Sequence, residues 1–398
     1  MKSKNGFKAD GFSRRFWSLV GATFLGFLGM GTVLPVLPPH IRHDLGGSDR
    51  TVGFAIGIFS LMALASRFIS GPLADRRGRK LAFVSGLVCC AIAGGIYLLP
   101  LGIFGVDLGR MFQGFGEACL YTGAAAWAVE LAGVHRSSQA LAYISSGIWG
   151  GISAGPLVGQ WLGSFPRAAA MQLIAATLAC LMLSFVPESY QPSLHARRGA
   201  WFPKSVLAPG LATGFINVAF PVVTGFLVLH LAGHGNSGPT AFTAYAAMVL
   251  VSRFFLGSVP DRIHPRITFY FGITAMAIAL VVIAKGPRPL IAIAAAALLG
   301  FGFSFPWTSI VSSVLKKAPA QEHGRIVGLL SAFYDVFVGV SSFTAGEVAS
   351  RFGYPAVFYM SEAALVVAAG LGLLVFPHGH QPTGTLGDDE AYLEPVEF

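Results

Sequence analysis

Long apolar runs constrain the fold of this chain more than any other feature of its sequence. A helix needs about 20 mostly apolar residues to cross about 30 Å of membrane hydrocarbon. The sequence contains twelve runs of that kind, which are separated by short charged or turn-forming segments. They lie near 16–38, 51–71, 81–101, 104–129, 138–163, 168–186, 206–231, 239–258, 267–284, 289–314, 326–349 and 355–376.

Composition excludes an ordinary soluble protein. Only 11% of the 398 residues are charged and 54% are hydrophobic, whereas soluble domains carry about 25% charged residues. The segments between the runs are too short to solvate a core of this size. The sequence therefore predicts an all-α membrane protein with twelve transmembrane helices.

The distribution of positive charge predicts which helix ends face the cytoplasm. With the N-terminus inside, eighteen of the 27 Lys and Arg residues fall on cytoplasmic segments and six on the opposite side. This excess is the positive-inside bias of membrane proteins. We therefore expect a multi-pass protein of the cytoplasmic (inner) membrane with both termini in the cytoplasm. Because topology accounts for the net charge of +9, we expect no nucleic-acid partner.

An internal repeat organises the chain. "SRFISGPLADR" (66–76) recurs as "SRFFLGSVPDR" (252–262) after 186 residues, and the same offset carries "GFG" at 114–116 onto a second "GFG". Two pseudo-symmetric six-helix bundles are typical of alternating-access transporters, whose substrate site lies near the midplane. A channel is the structural alternative, but channels are more often oligomers of smaller units. The predicted division is a first bundle over 1–186, a cytoplasmic linker over 187–205, a second bundle over 206–376 and a flexible cytoplasmic tail over 377–398.

The charged segment "GPLADRRGRK" (71–80) resembles the signature that joins the second and third helices of the major facilitator superfamily. Its glycines permit close backbone approach, its aspartate can cap a helix end, and its arginines can bridge to the other half. A merely positive-inside loop would explain the cations but not the two glycines and the aspartate. We therefore predict a gating loop made of Gly71, Asp75, Arg76, Gly78 and Arg79, with Asp261 and Arg262 from the second copy.

The fourth run contains "LGRMFQGFGEA" (108–118), which resembles the family's fourth-helix signature. Arg110, Gln113 and Glu117 fall on one helix face, and Tyr121 extends it by another turn. Arg and Glu are costly inside a membrane unless they are paired or face water. The resemblance extends the proton-coupling role of the family's arginine to Arg110, with Glu117 as the group that loads and unloads the proton. The alternative is a structural pair that joins this helix to a neighbour.

Asp335 is a second carboxylate deep within an apolar run, about ten residues into the eleventh. An unpaired aspartate there would be costly, so we expect a functional residue whose partner is Arg110 or a substrate cation. A structural hydrogen-bonding role is the alternative. The predicted proton-coupling set is therefore Glu117, Asp335 and Arg110.

The fifth run contains "GIWGGISAGPLVG" (147–159), which resembles the fifth-helix signature of the antiporter branch. Gly151, Gly155 and Gly159 repeat every four residues and give one smooth face for close helix packing, while Pro156 loosens the helix. We predict a hinge or a tight packing seam here, with generic packing of small residues as the alternative. Gln160 replaces the last glycine of the usual pattern.

The resemblance also implies that the first, fourth, seventh and tenth helices line a central cavity. The polar and aromatic residues there form a largely apolar set, which suits an amphiphilic solute better than a bare sugar. We expect substrate contacts at Gln113, Tyr121, Asn217 and Trp307. Further candidates for the cavity wall are Thr32, Thr213, Thr224, Phe305 and Thr308.

Other site chemistries find no support in the sequence. It contains no GK[ST] phosphate loop, so ATP-driven transport is not expected. The histidines form no convincing metal site, and the four cysteines lie within apolar runs without a pairing pattern. We therefore expect no metal, no cofactor and no enzymatic activity.

The runs, the repeat and the three signatures make the chain similar to the twelve-helix drug:proton antiporter branch of the superfamily. The resemblance implies a secondary transporter that exports a small amphiphilic organic solute or drug by alternating access, in exchange for protons. We expect a monomer in the lipid bilayer, with a small-molecule substrate and protons as its partners. The alternatives are a proton symporter that imports a sugar or organic acid, a lipid or metabolite exporter, and a sensor built on a transporter scaffold.

Overall fold

The structure, a computed structural model, describes residues 12–132, 136–187, 204–233, 235, 237–256, 263–316, 318 and 323–376. Almost all of these residues are helical, and no strand forms among them. The helical segments in chain order are α1 (Arg14–Asp44), α2 (Asp49–Arg77), α3 (Arg79–Tyr97), α4 (Gly102–Ala132), α5 (Ser137–Leu162), α6 (Phe165–Ser184), α7 (Leu207–Ala232), α8 (Gly238–Leu256), α9 (Pro265–Ala284), α10 (Pro289–Leu315), α11 (His323–Phe352) and α12 (Tyr354–Val375).

Most of these segments can cross a membrane. Within the described residues, nine are long and apolar enough to do so, and the apolar part of α8 is shorter, at Gly238–Ser252. The remaining two, α4 and α5, have 31 and 26 residues but are less apolar. In α4 the reason is the presence of Arg110, Gln113 and Glu117, and in α5 it is the content of Gly and Ser.

Short connections make successive helices antiparallel, so their ends gather at two faces of the molecule. We call the face where α2 begins the Asp49 face, and the face where it ends the Arg77 face. Three of the long segments are irregular. A π-helical turn ends α1 at His40–Asp44, another lies within α7 at Val223–Leu227, and α10 breaks just before Pro306.

The charged segment 71–80 is helical except at one residue, so the predicted loop is wrong. α2 continues through Pro72 to Arg77 and α3 begins at Arg79, which leaves Gly78 alone as the connection. Gly78 has a φ of 117°, a conformation that favours glycine. Because a helix satisfies its own backbone hydrogen bonds, α2 continues past the apolar layer without exposing unpaired backbone groups.

The sequence repeat corresponds to a repeat of close helix contacts. Gly114 of α4 packs against the Phe59 carbonyl oxygen of α2, and a Cβ on this glycine would collide with that oxygen. After 186 residues, Gly300 of α10 packs in the same way against the Tyr245 carbonyl oxygen of α8. The two six-helix bundles are therefore pseudo-symmetric in their packing as well as in their sequence.

Two hydrophobic clusters show how the halves meet. One contains residues of the first half, among them Phe83 and Trp127. The other fills the second half and also takes in Leu37 of α1 and Val52 of α2, which lie near the Asp49 face. The halves therefore share a hydrophobic core at the Asp49 face, while the first half keeps a separate core toward the Arg77 face.

The predicted glycine seam of α5 lies against α1. α5 runs as one helix through Pro156, and Gly151, Gly155 and Gly159 all meet backbone atoms of α1. A Cβ on Gly155 would lie 2.6 Å from the Cα atom of Gly31. Backbone atoms cannot turn aside as a flexible side chain does, so this approach requires glycine.

This packing predicts that Gly155→Ala destabilises the protein by about 2 kcal/mol, the usual cost of overpacking a core. The control is Gly95→Ala in α3, where a Cβ would have no atom within 4 Å. The control should leave the melting temperature unchanged or raise it slightly, because alanine favours helix over glycine. Thermal unfolding in detergent measures both, and equal melting temperatures would contradict the tight α1–α5 contact.

Candidate functional site

A large cavity lies between the two halves. It encloses about 1490 Å³, with its open mouth included, and is lined by α1, α2, α4 and α5 of the first half and by α7, α8, α10 and α11 of the second. Lining positions correspond across the repeat, since a spacing of 186 residues relates Phe59 to Tyr245 and Tyr121 to Trp307. Equivalent helices of the two halves therefore face each other across the cavity.

The residues predicted for substrate contact all line this cavity: Gln113, Tyr121, Asn217 and Trp307. Thr224 lines it as well. Thr32 is buried in the first bundle instead, where its hydroxyl donates to the Ala168 carbonyl oxygen at 3.1 Å. Aromatic side chains cover much of the remaining wall, including Phe27, Phe59, Trp149, Phe220, Phe242 and Tyr334.

An arginine of α2 joins the two predicted carboxylates. Arg67 Nε donates to Asp335 Oδ2 at 2.6 Å, and its Nη2 lies 3.9 Å from Glu117 Oε2. The guanidinium carbon lies 5.4 Å from the centre of the Tyr121 ring. The side chain of Asp335 is only 6% exposed. Because Arg67 and Glu117 belong to the first half and Asp335 to the second, this charge cluster connects the halves inside the cavity.

The structure gives Asp335 a different partner from the one expected. Arg110 or a substrate cation had been expected, yet the Arg110 guanidinium lies in a separate network within the first half. Arg110 Nε donates to the Ala55 carbonyl oxygen at 2.9 Å, and Nη1 donates to Gln113 Oε1 at 2.5 Å. The Phe59 ring covers the guanidinium, with its centre 4.3 Å from the guanidinium carbon. Among the described residues, no carboxylate oxygen lies within 4.0 Å of Arg110.

Gln113 holds this network in place. Its Oε1 also accepts from the Tyr97 hydroxyl at 3.1 Å, and its Nε2 donates to Gln172 Oε1 at 2.9 Å. Gln172 in turn donates to the Cys90 carbonyl oxygen at 2.9 Å. All of these side chains are buried, so their mutual hydrogen bonds satisfy polar atoms that would otherwise be costly. The network fixes Arg110 on the cavity wall.

The predicted gate residues of the first half lie at the Arg77 face and do not line the cavity. Arg79 Nη1 lies 2.5 Å from Glu130 Oε2, so this ion pair joins two helices of the same half. Arg76 is exposed, and a Cβ on Gly71 would have no atom of a described residue within 4 Å. The side chain of Asp75 and the whole of Asp261 and Arg262 lie outside the described residues.

Polar contacts link the halves at the Asp49 face. Arg50 Nε of α2 lies 2.6 Å from Glu347 Oε2 of α11, and Arg50 Nη2 donates to Glu347 Oε1 at 3.1 Å. The Tyr354 hydroxyl of α12 donates to Asp49 Oδ1 at 3.0 Å. We call these four residues the Asp49 latch. Together with the shared hydrophobic core, the latch holds this face shut.

Arg67 was not among the site residues predicted from the sequence. A signal for it was present, because Arg67 lies inside an apolar run and recurs as Arg253 in the repeat. Its role depends on a contact with a residue 268 positions away. Among the described residues, no group of three His, Cys, Asp or Glu side chains is placed so that it could hold a metal ion.

Comparisons with known proteins agree with this architecture. The Major Facilitator Superfamily profile matches residues 19–240 and 205–396. An uncharacterized MFS-type transporter of Salmonella typhimurium is 27% identical over 372 residues, which cover 90% of this chain and 95% of that protein. A similar transporter of Burkholderia mallei is 27% identical over 377 residues, which cover 89% of this chain and 90% of that protein.

Among solved structures, the nucleoside transporter NupG superposes with a TM-score of 0.71 at 14% identity. The match covers 92% of this chain and 100% of that one. At this identity the likeness concerns the fold alone. Because the family profile matches nearly the whole sequence, the chain belongs to the major facilitator superfamily and is a multi-pass membrane transporter, not an enzyme.

Proposed function

We propose that this secondary transporter is a proton-coupled antiporter that exports a small amphiphilic organic solute across the cytoplasmic membrane. The charge cluster of Arg67, Glu117 and Asp335 carries the proposal. These side chains meet in the central cavity at the boundary between the halves. Proton binding there would act directly on the contact that must change when the halves move.

The direction of opening supports export. The shared core and the Asp49 latch close the Asp49 face, and the predicted topology places the Arg77 face in the cytoplasm. The cavity in this state is then open to the cytoplasm, where an exporter must load its substrate.

The coupling follows from electrostatics. A proton on Asp335 removes the charge that attracts Arg67, and thereby weakens a contact between the halves. A proton on Glu117 competes with any positively charged group that approaches the same carboxylate. A gradient does work only when protonation changes the balance between the two states or the affinity for the solute. The cluster provides both effects at one place.

The walls of the cavity support an amphiphilic solute. Apolar side chains from both halves, many of them aromatic, form most of the wall, and the polar groups are confined to a few positions such as Asn217 and Thr224. Sites with apolar walls and a few placed polar groups bind the hydrocarbon part by burial and orient the rest by hydrogen bonds. We further propose that the transporter works as a monomer, since the cavity is complete within one chain.

The double variant Glu117→Gln/Asp335→Asn should uncouple transport from the proton gradient. Both amides retain the shape of the side chains but bind no proton, so solute counterflow should continue while pH-driven accumulation is lost. Proteoliposomes with an imposed pH gradient, screened against metabolites, drugs and lipids, provide the measurement. If the double variant still showed undiminished proton-driven transport, Glu117 and Asp335 would not be the proton-coupling residues. If the solute moved in the same direction as the protons, the protein would be a symporter.

Arg67→Gln should destabilise the protein by about 3–5 kcal/mol, because it leaves two buried carboxylates without their cation. Asp335→Asn in the same chain should recover a large part of this loss, since it removes one of the unpaired charges. Thermal unfolding of the two single variants and the double variant forms a complete cycle. Strictly additive effects would show that Arg67 and Asp335 do not interact.

Glu347→Gln should loosen the Asp49 latch. The ion pair with Arg50 is partly exposed and worth about 0.2–1 kcal/mol, so the ratio of open to closed molecules at this face should rise by up to about fivefold. Spin labels at positions Asp44 and Phe352, after replacement of the four native cysteines, report the distance across the face. The control is Thr344→Ala on the exposed side of the same helix. An unchanged distance distribution for Glu347→Gln would show that the latch does not hold the face.

A further inference from the structure

Among the described residues, four ionic side chains line the cavity, and they are distributed unevenly. Arg67, Glu117 and Asp335 form one cluster, in which one cation faces two carboxylates. Arg110 also lines the cavity but lies outside this cluster. With both carboxylates ionised, the cluster has an excess negative charge and Arg110 an excess positive charge. The cavity is neutral as a whole but has one negative and one positive end.

Each end presents an unmatched group. The buried Oε2 atom of Glu117 has no hydrogen-bond partner among the described residues, and its nearest cation lies 3.9 Å away. Arg110 is hydrogen-bonded to neutral oxygens and to no carboxylate in the described chain. Asp107, one turn before Arg110 on α4, is near enough to attract its charge, but no Asp107 oxygen lies within 4.0 Å of a guanidinium nitrogen and Asp107 does not line the cavity.

The two unmatched groups lie on the same face of α4. They are seven residues apart, which corresponds to about 10 Å along the helix axis. Gln113 lies between them and also lines the cavity. A solute that runs along this face of α4 would lie beside both groups, of which Arg110 is 2% exposed and lies against the Phe59 ring.

We infer that the substrate is an amphiphilic zwitterion, with an acidic group that binds Arg110, a basic group that binds Glu117 and an apolar body between them. This inference rests on the proposed function of the cavity as a transport site. A monoanion would bring no positive charge to balance Glu117, and a monocation would bring no negative charge to balance Arg110. A zwitterion satisfies both ends, and its basic group competes with the proton at Glu117.

The apolar body has a matching surface. Phe59 lies beside Arg110, and the Tyr121 ring lies beside Arg67 and one turn beyond Glu117. Phe27 and Phe242 also contribute to the walls. Aromatic rings at these positions favour a flat hydrocarbon body, which they can bury by stacking.

A set of four related compounds tests the inference on the full chain in lipid nanodiscs. The zwitterion is para-aminomethylbenzoate, its methyl ester is the monocation, its N-acetyl derivative is the monoanion, and the doubly blocked compound is neutral. Isothermal titration calorimetry gives the four dissociation constants. The zwitterion should bind at least about tenfold more tightly than any of the other three, because each lost charged contact leaves a buried group unpaired.

Variants assign the two ends. Glu117→Gln should abolish the advantage of the zwitterion over the monoanion, and Arg110→Gln its advantage over the monocation. Thr177→Ala, an exposed position on α6, should leave the ranking unchanged. The opposite selectivity changes of the two variants separate a loss of contact from a general loss of folding.

The inference is overturned if the monoanion or the monocation binds as tightly as the zwitterion, or if none of the four compounds binds. It is also overturned if both variants change selectivity in the same direction. This outcome is distinct from a failure of the proposed antiport. A zwitterion preference without proton-driven transport would refute only the coupling, and proton-driven transport without that preference would refute only the substrate class.

Discussion

The ion pair between Arg67 and Asp335 is the interaction on which the central part of the structure depends. A charged group in the middle of a membrane is costly unless it is paired or reaches water. Here Arg67 belongs to the first half and Asp335 to the second, so each of these charges is paired only when the two halves are in contact. The opposite half supplies the partner of each charge. Whether this ion pair forms in the cavity therefore depends on how the two bundles are arranged.

The two halves share a fold but do not share their charges. The close glycine contacts at Gly114 and Gly300 show that helices approach each other in the same way in both bundles. At the cavity wall, however, Glu117 aligns with Phe303, and Asp335 aligns with Trp149. The repeated backbone builds a symmetric cavity, and the unequal side chains give that cavity a direction. In the proposed antiport, this asymmetry allows a proton and a solute to have separate effects on one transition.

Part of the site could be predicted from local sequence patterns. Glu117 and Gln113 share a helix face with Arg110, and all three line the cavity because helical periodicity fixes which residues share a face. The predicted loop at 71–80 is wrong because charge marks the end of the apolar layer and does not end a helix. The sequence suggested Arg110 as a partner of Asp335, whereas the structure has Arg67. Local periodicity shows which residues share a helix face, but it does not show which distant helix packs against that face.

Hydropathy, charge distribution and the repeat are properties of the chain itself. By themselves they determined that this protein is a membrane protein of twelve helices in two related bundles, with carboxylates that must find a partner or water. Only the tertiary structure decided that the partner is Arg67, and that Arg110 forms no ion pair within the described part of the chain. The reason is that these contacts depend on how α2, α4 and α11 pack around the cavity, and packing brings together residues 268 positions apart.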